Sequence, residues 1–131
     1  MSFEGLRVFI VEDQSMVTML LEDMLDELGC RVAGHAAHLT EALSEAQTVA
    51  CDVAILDMNL GGDNTLAVGQ ALASRNIPYL FATGYGDSLR QDNGRPAPVL
   101  GKPFRLAELE FALRALLSSR ATQGVTVPPS N

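Results

Sequence analysis

The chain has 131 residues, 47% of them apolar, which suits one domain built around a single core. Its formal net charge is −7 with no cluster of Lys and Arg; that argues against nucleic acid, whose phosphates demand a basic face, and against an anionic membrane surface. No apolar run approaches the roughly 20 residues of a membrane span, and the opening MSFEGLR has no signal-peptide core, so a cytoplasmic location is expected.

Leu6–Val11 (LRVFIV) is short, nearly all apolar and β-branched, the pattern of a strand buried on both faces. Over Gln14–Leu28 the period changes. Val17, Leu20, Leu21, Met24 and Leu28 fall at helical spacing, Glu22, Asp23, Asp26 and Glu27 take the other side, and Gly29 ends the helix. Arg31–Ala36 reads as a weaker strand. Ala42, Leu43, Ala46, Val49 and Ala50 mark a second helix, with Thr40 as its expected cap.

Val53–Leu56 (VAIL) is the third strand and runs directly into Asp57. NLGGDN follows as a loop, then a helix from about Thr65 to Arg75. Pro78 opens the fourth strand, Tyr79–Ala82. A short helix over Asp87–Asn93 is hemmed in by Gly86, Gly94, Pro96 and Pro98. Val99–Gly101 is a fifth strand. From Arg105 to about Ser119, Leu106, Leu109, Ala112, Leu113, Leu116 and Leu117 form one stripe of a last helix. The expected domain is thus 1–119, with 120–131 a disordered tail.

Strand and helix alternate five times with short connections, which calls for parallel strands and helical crossovers. The expected fold is α/β, a doubly wound five-stranded parallel sheet with helices on both faces. Ligands of such sheets bind beyond the carboxyl ends of the strands. There the first strand ends in Glu12 and Asp13, the third in Asp57, the fourth in Thr83 and the fifth in Lys102 and Pro103.

Three carboxylates on one edge raise one another's pKa unless a cation joins them. Their hard oxygens suit Mg²⁺ shared with a phosphate. Lys102 is a point charge for a phosphoryl oxygen, and the Thr83 hydroxyl can donate to another. The set fits phosphoryl transfer, which is mostly positioning and charge neutralisation. Asp57, alone on the central strand and facing the acidic pair, is the better candidate for a carboxylate nucleophile.

Other chemistry-bearing residues read more simply. Cys30 and Cys51 show no CxxC spacing and are taken as half-buried thiols. His35 and His38 lack further ligands at metal-site spacing and are placed in a loop or helix start.

The series VEDQ, VAILD, FATG and GKPF, spread over residues 5 to about 119, resembles the receiver domain of bacterial two-component response regulators. The resemblance implies a flavodoxin-like strand order, 2-1-3-4-5. It implies that Asp13 touches Mg²⁺ directly and Glu12 through water, that Asp57 is both phosphoacceptor and ligand, and that the Asn59 carbonyl completes the protein ligands. Thr83 and Lys102 would bind the phosphoryl group, the Lys102–Pro103 bond is often cis, and the side chains of Asn59 and Tyr85 sit where the family tunes dephosphorylation. The donor would be a histidine kinase or histidine phosphotransferase. The expected output is binding of a protein through the fourth helix, fifth strand and last helix, or a phosphate relay or sink, with no attached effector domain.

Three departures stand out. Val99 occupies the place of the family's switching Tyr or Phe, Gly61 that of a common Pro, and Asn64-Thr65 that of Asp-Gly. Together with FATG they resemble the FATGUY subgroup, which is linked to general stress signalling in alphaproteobacteria. With Val99 in that position, Tyr85 or the backbone of its loop is the expected carrier of the signal. Two other functions compete with this reading. A phosphohydrolase of the haloacid-dehalogenase kind wants a second Asp where Asn59 stands, and a receiver that binds partners without phosphate would not need the five-residue set. A signalling protein acting only on its own phosphoryl group, not an enzyme of other substrates, is the expectation.

Overall fold

The apolar runs become a sheet because the three central strands have two faces to bury. The structure, a computed structural model, describes residues 3–84 and 99–125, the last seven as backbone. Strands β1 (Arg7–Val11), β2 (Arg31–Ala36), β3 (Val53–Asp57), β6 (Tyr79–Thr83) and β7 (Val99–Gly101) form one sheet in the order β2-β1-β3-β6-β7. All its pairings are parallel. Two-residue strands β4 (Asn59–Leu60) and β5 (Asp63–Asn64) pair antiparallel as a separate hairpin. Setting that hairpin aside, the order is the flavodoxin-like one.

Alternation along β1 shows why its run is continuous. Val8 and Ile10 face a core shared with Leu21 and Leu25 of α1 (Ser15–Glu27) and Leu109, Leu113 and Leu116 of α4 (Leu106–Val125). Phe9 and Val11 face the opposite core, with Ala42 and Ala46 of α2 (Leu39–Thr48) and Val68 and Leu72 of α3 (Leu66–Ala73). A period-2 strand with helices on both sides needs apolar residues at every position.

Several local expectations change. On α1 the buried stripe is Thr18, Leu21 and Leu25, flanked by half-buried Val17, Met24 and Leu28, while Leu20 is exposed. Gly29 closes the helix at φ +89° in a Schellman arrangement: Cys30 N–H donates to the Leu25 carbonyl and Gly29 N–H to that of Asp26. Thr40 is not the cap of α2. His38 holds that position, and the Glu41 carboxylate reaches back to the Ala37 N–H at 3.1 Å. His35 lies inside β2, not in a loop.

Both cysteines are free and fully buried rather than half-buried; burial pushes the Cys30 thiol up to about 11. The last helix runs to Val125, beyond the expected end near Ser119 and into the segment expected to be disordered. Tyr85 and the helix expected at Asp87–Asn93 lie outside the described residues. Among the described residues no helix is long and apolar enough to cross a membrane.

Candidate functional site

Strand register assembles the site. Val11 lies opposite Leu56, so Glu12 arrives level with Asp57, the last residue of β3. Asp57 pairs with Ala82, and Thr83 with Gly101, so Thr83 and then Lys102 follow one step further along the same edge. The Lys102 N–H donates to the Thr83 carbonyl at 2.8 Å. The five residues singled out from the sequence therefore stand together.

Lys102 is the charge centre. Its Nζ is 2.9 Å from Glu12 Oε1 and 3.5 Å from Asp57 Oδ2. Glu12 is 2% exposed, a burial that only a paired carboxylate tolerates, and its Oε2 also accepts the Gln14 N–H at 3.1 Å. Asp57 Oδ1 accepts the Asn59 N–H at 3.2 Å. Asp13 is exposed. One carboxylate oxygen each of Glu12, Asp13 and Asp57 lies within 4.8 Å of the others.

Three carboxylates against one ammonium leave the site short of positive charge. Burial, with the Glu12 and Asp13 charges adding to it, pushes Asp57 up to about 6, against the opposing Asn59 N–H and Lys102. Oxygen-only donors, close spacing and excess negative charge fit a hard divalent cation such as Mg²⁺, which Glu12, Asp13 and Asp57 could hold.

The NLGGDN segment is a hairpin rather than a plain loop. Gly61 and Gly62 turn it at φ +60° and +96°, the left-handed region where glycine carries no Cβ penalty. Proline, locked near −65°, is incompatible with the Gly61 conformation, which accounts for that departure. The turn lies along the acidic pair: a Cβ on Gly61 would stand 3.9 Å from Asp13 Oδ2. Asn59 is exposed, and its side-chain carbonyl accepts the Gly62 N–H at 2.8 Å, inside the hairpin.

The Asn64-Thr65 departure also has a structural use. Asn64 Oδ1 accepts the Leu66 N–H at 3.1 Å, a side-chain turn that leads into α3 across its N-cap residue Thr65. Thr65, fully buried, donates its hydroxyl to the Asp57 carbonyl at 2.7 Å. Thr65 thus ties the hairpin to the strand end that carries Asp57, a contact that the sequence reading missed. The signal available there was the departure itself. Val99 is exposed on β7 opposite Phe81, and the Lys102–Pro103 peptide is cis.

This edge, on this sheet, defines a class. The response regulator receiver domain family matches residues 8–114, and the chain belongs to that family. It is similar to SdrG from Sphingomonas melonis Fr1, at 41% identity and a TM-score of 0.75, covering 89% of this chain and 99% of that one. It is 29% identical over 114 residues to the phyllosphere-induced regulator PhyR of Methylorubrum extorquens, covering 84% of this chain and 43% of that protein. A variant of the anti-anti-sigma factor PhyR from Bartonella quintana is 26% identical, with a TM-score of 0.76 over 89% of this chain and 50% of that one. The chain spans about half the length of the curated relatives it matches. PhyR from Brucella abortus, 29% identical to this chain, is a response regulator.

Proposed function

We propose that Asp57 accepts a phosphoryl group from the phosphohistidine of a histidine kinase or histidine phosphotransferase, and that the phosphorylated domain signals by binding a protein. The meeting of Glu12, Asp13 and Asp57 within 4.8 Å, around the Lys102 ammonium, carries this reading. Glu12, Asp13, Asp57 and the Asn59 main-chain carbonyl would hold Mg²⁺. When bound, Mg²⁺ supplies neutralisation of the negative charge that gathers as phosphate approaches carboxylate.

The residues of the chain do the rest. A carboxylate oxygen of Asp57 bonds to phosphorus as the phosphorus–nitrogen bond breaks, its electron pair leaving on the donor's imidazole. The Asn59 N–H and Thr65 hydroxyl hold the two ends of the Asp57 residue, carboxylate and carbonyl, so the nucleophile is aimed before the donor arrives. Lys102, already between Glu12 and Asp57, turns one N–H to a phosphoryl oxygen without losing Glu12. The Thr83 hydroxyl binds a second oxygen. No aromatic stands at Val99 to rotate in response, and Tyr85, two residues after Thr83 in sequence, or the backbone of its segment takes that role.

Two observations support an output through protein binding. Val99 and Phe111, on β7 and α4, are exposed apolar residues, and a relative of this domain belongs to an anti-anti-sigma factor. Relay or sink function is the competing outcome.

Adding beryllofluoride and Mg²⁺ to isotope-labelled protein tests the reading. Amide shifts are expected around Asp57, Thr83 and Lys102 and outward to β7, and Thr83→Ala should keep the local shifts and lose the distant ones. No response in the wild type would overturn the assignment of Asp57.

A further inference from the structure

His35 is a polar ring on an edge strand, outside the five-residue set, yet it reaches the peptide bond that joins the two acidic residues. Its Nε2 is 3.2 Å from the carbonyl oxygen of Glu12 and 3.3 Å from the hydroxyl of Thr18. A carbonyl only accepts, so Nε2 carries the proton. Thr18 Oγ1, 3.4 Å from the Gln14 carbonyl, donates there and accepts from His35. One consistent set of donors links β2, the loop 12–14 and α1.

That loop has further ties: Glu12 Oε1 accepts from Lys102 Nζ, and the Gln14 carbonyl accepts the Val17 and Thr18 N–H groups. The Glu12 N–H donates to the Ala36 carbonyl at 3.0 Å, and the Glu12 carboxylate turns back to the Gln14 N–H. The carbonyl of Glu12 belongs to the peptide plane between Glu12 and Asp13. Its orientation is set by the backbone dihedrals of Glu12 and Asp13, the residues from which both carboxylates project. Among the described residues Thr18 is one of five buried polar ones, and its hydroxyl serves this network.

We infer that His35 is a positioning residue for the cation site: by holding the Glu12–Asp13 peptide it sets how well the two carboxylates converge on Mg²⁺. This rests on the metal reading above. Partners that orient metal ligands commonly change affinity by roughly ten- to a hundredfold; His35 is exposed and acts through the main chain, which puts the expected effect at the lower end. His35→Gln keeps a nitrogen donor at a similar reach, whereas His35→Phe keeps the ring and removes the donor.

The test is Mg²⁺ titration by calorimetry, in parallel with thermal unfolding in chelator, for wild type and both variants. His35→Phe should weaken Mg²⁺ binding about tenfold with little change in Tm, and His35→Gln should restore most of the loss. Thr18→Val should weaken binding less, because the Nε2–H bond to Glu12 survives. Equal affinity in wild type and His35→Phe would overturn the inference while leaving the metal site in place. Loss of affinity that tracks loss of Tm, or that Gln fails to restore, would also overturn it, as a structural role only. A wild type that binds no Mg²⁺ would refute the metal reading itself and this inference with it.

Discussion

Asp57 carries the strain of the site in its protonation. Burial and the neighbouring carboxylates raise its pKa to about 6 from an ordinary 3.8, so without a cation the folded protein binds protons more tightly than the unfolded chain. Stability from this group is therefore present below about pH 4 and lost as pH rises through about 6. Asp57→Asn keeps the oxygen that accepts the Asn59 N–H and removes the charge. In chelator at pH 7.5 it should raise Tm by several degrees, on the order of 1 kcal/mol, and the gain should vanish at pH 4. A gain independent of pH would contradict the account. The buried thiols make a second prediction at this scale: with Cys30 pushed up to about 11 and Cys51 raised by burial as well, neither should react with a thiol reagent at pH 8 until the protein unfolds.

Among the elements, the β4–β5 hairpin shows most clearly where sequence reading ends. NLGGDN announced a loop, but not that Asn59 would engage its side-chain carbonyl with Gly62 or Thr65 its hydroxyl with Asp57; those contacts depend on where β3 stops. Gly61→Pro cannot reach φ +60° and should weaken Mg²⁺ binding and lower Tm together, by about 2 kcal/mol or more. On α3, Gly69 abuts Tyr79, where an added Cβ would lie 2.8 Å from the ring. Gly69→Ala gains about 1 kcal/mol of helix propensity against about 1–3 kcal/mol of overpacking. Urea unfolding should show a net loss, since the Tyr79 ring is edge-on to Phe81 at 5.4 Å and has little room to tilt; a stabilised variant would refute that packing. Helix faces were legible only in part. Leu20 and Leu25 are alike in composition, and only the direction from which β1 and α4 approach decides that Leu25 is buried.

For the molecule as a whole, the parallel α/β sheet was legible because it follows from period, while the strand order was legible only through the family resemblance. Two-sided strands joined by helices leave little choice but a parallel sheet, and the carboxyl-end rule then selects Glu12, Asp13, Asp57, Thr83 and Lys102 without any contact being known. What the sequence could not supply was everything that passes through the main chain: the His35 bond to the Glu12 carbonyl, the Thr65 bond to Asp57, and the bonds of Glu41 and Asn64 to main-chain N–H groups at the starts of α2 and α3. Main-chain acceptors are the same at every residue, so composition does not mark them. The central claim is that this sheet edge makes Asp57 a phosphoacceptor. Its most direct measurement is the intact mass after incubation with acetyl phosphate and Mg²⁺. Wild type should gain the mass of one phosphoryl group, and chelator or Asp57→Asn should abolish the gain; no adduct on the wild type, or the same adduct on Asp57→Asn, would contradict the account.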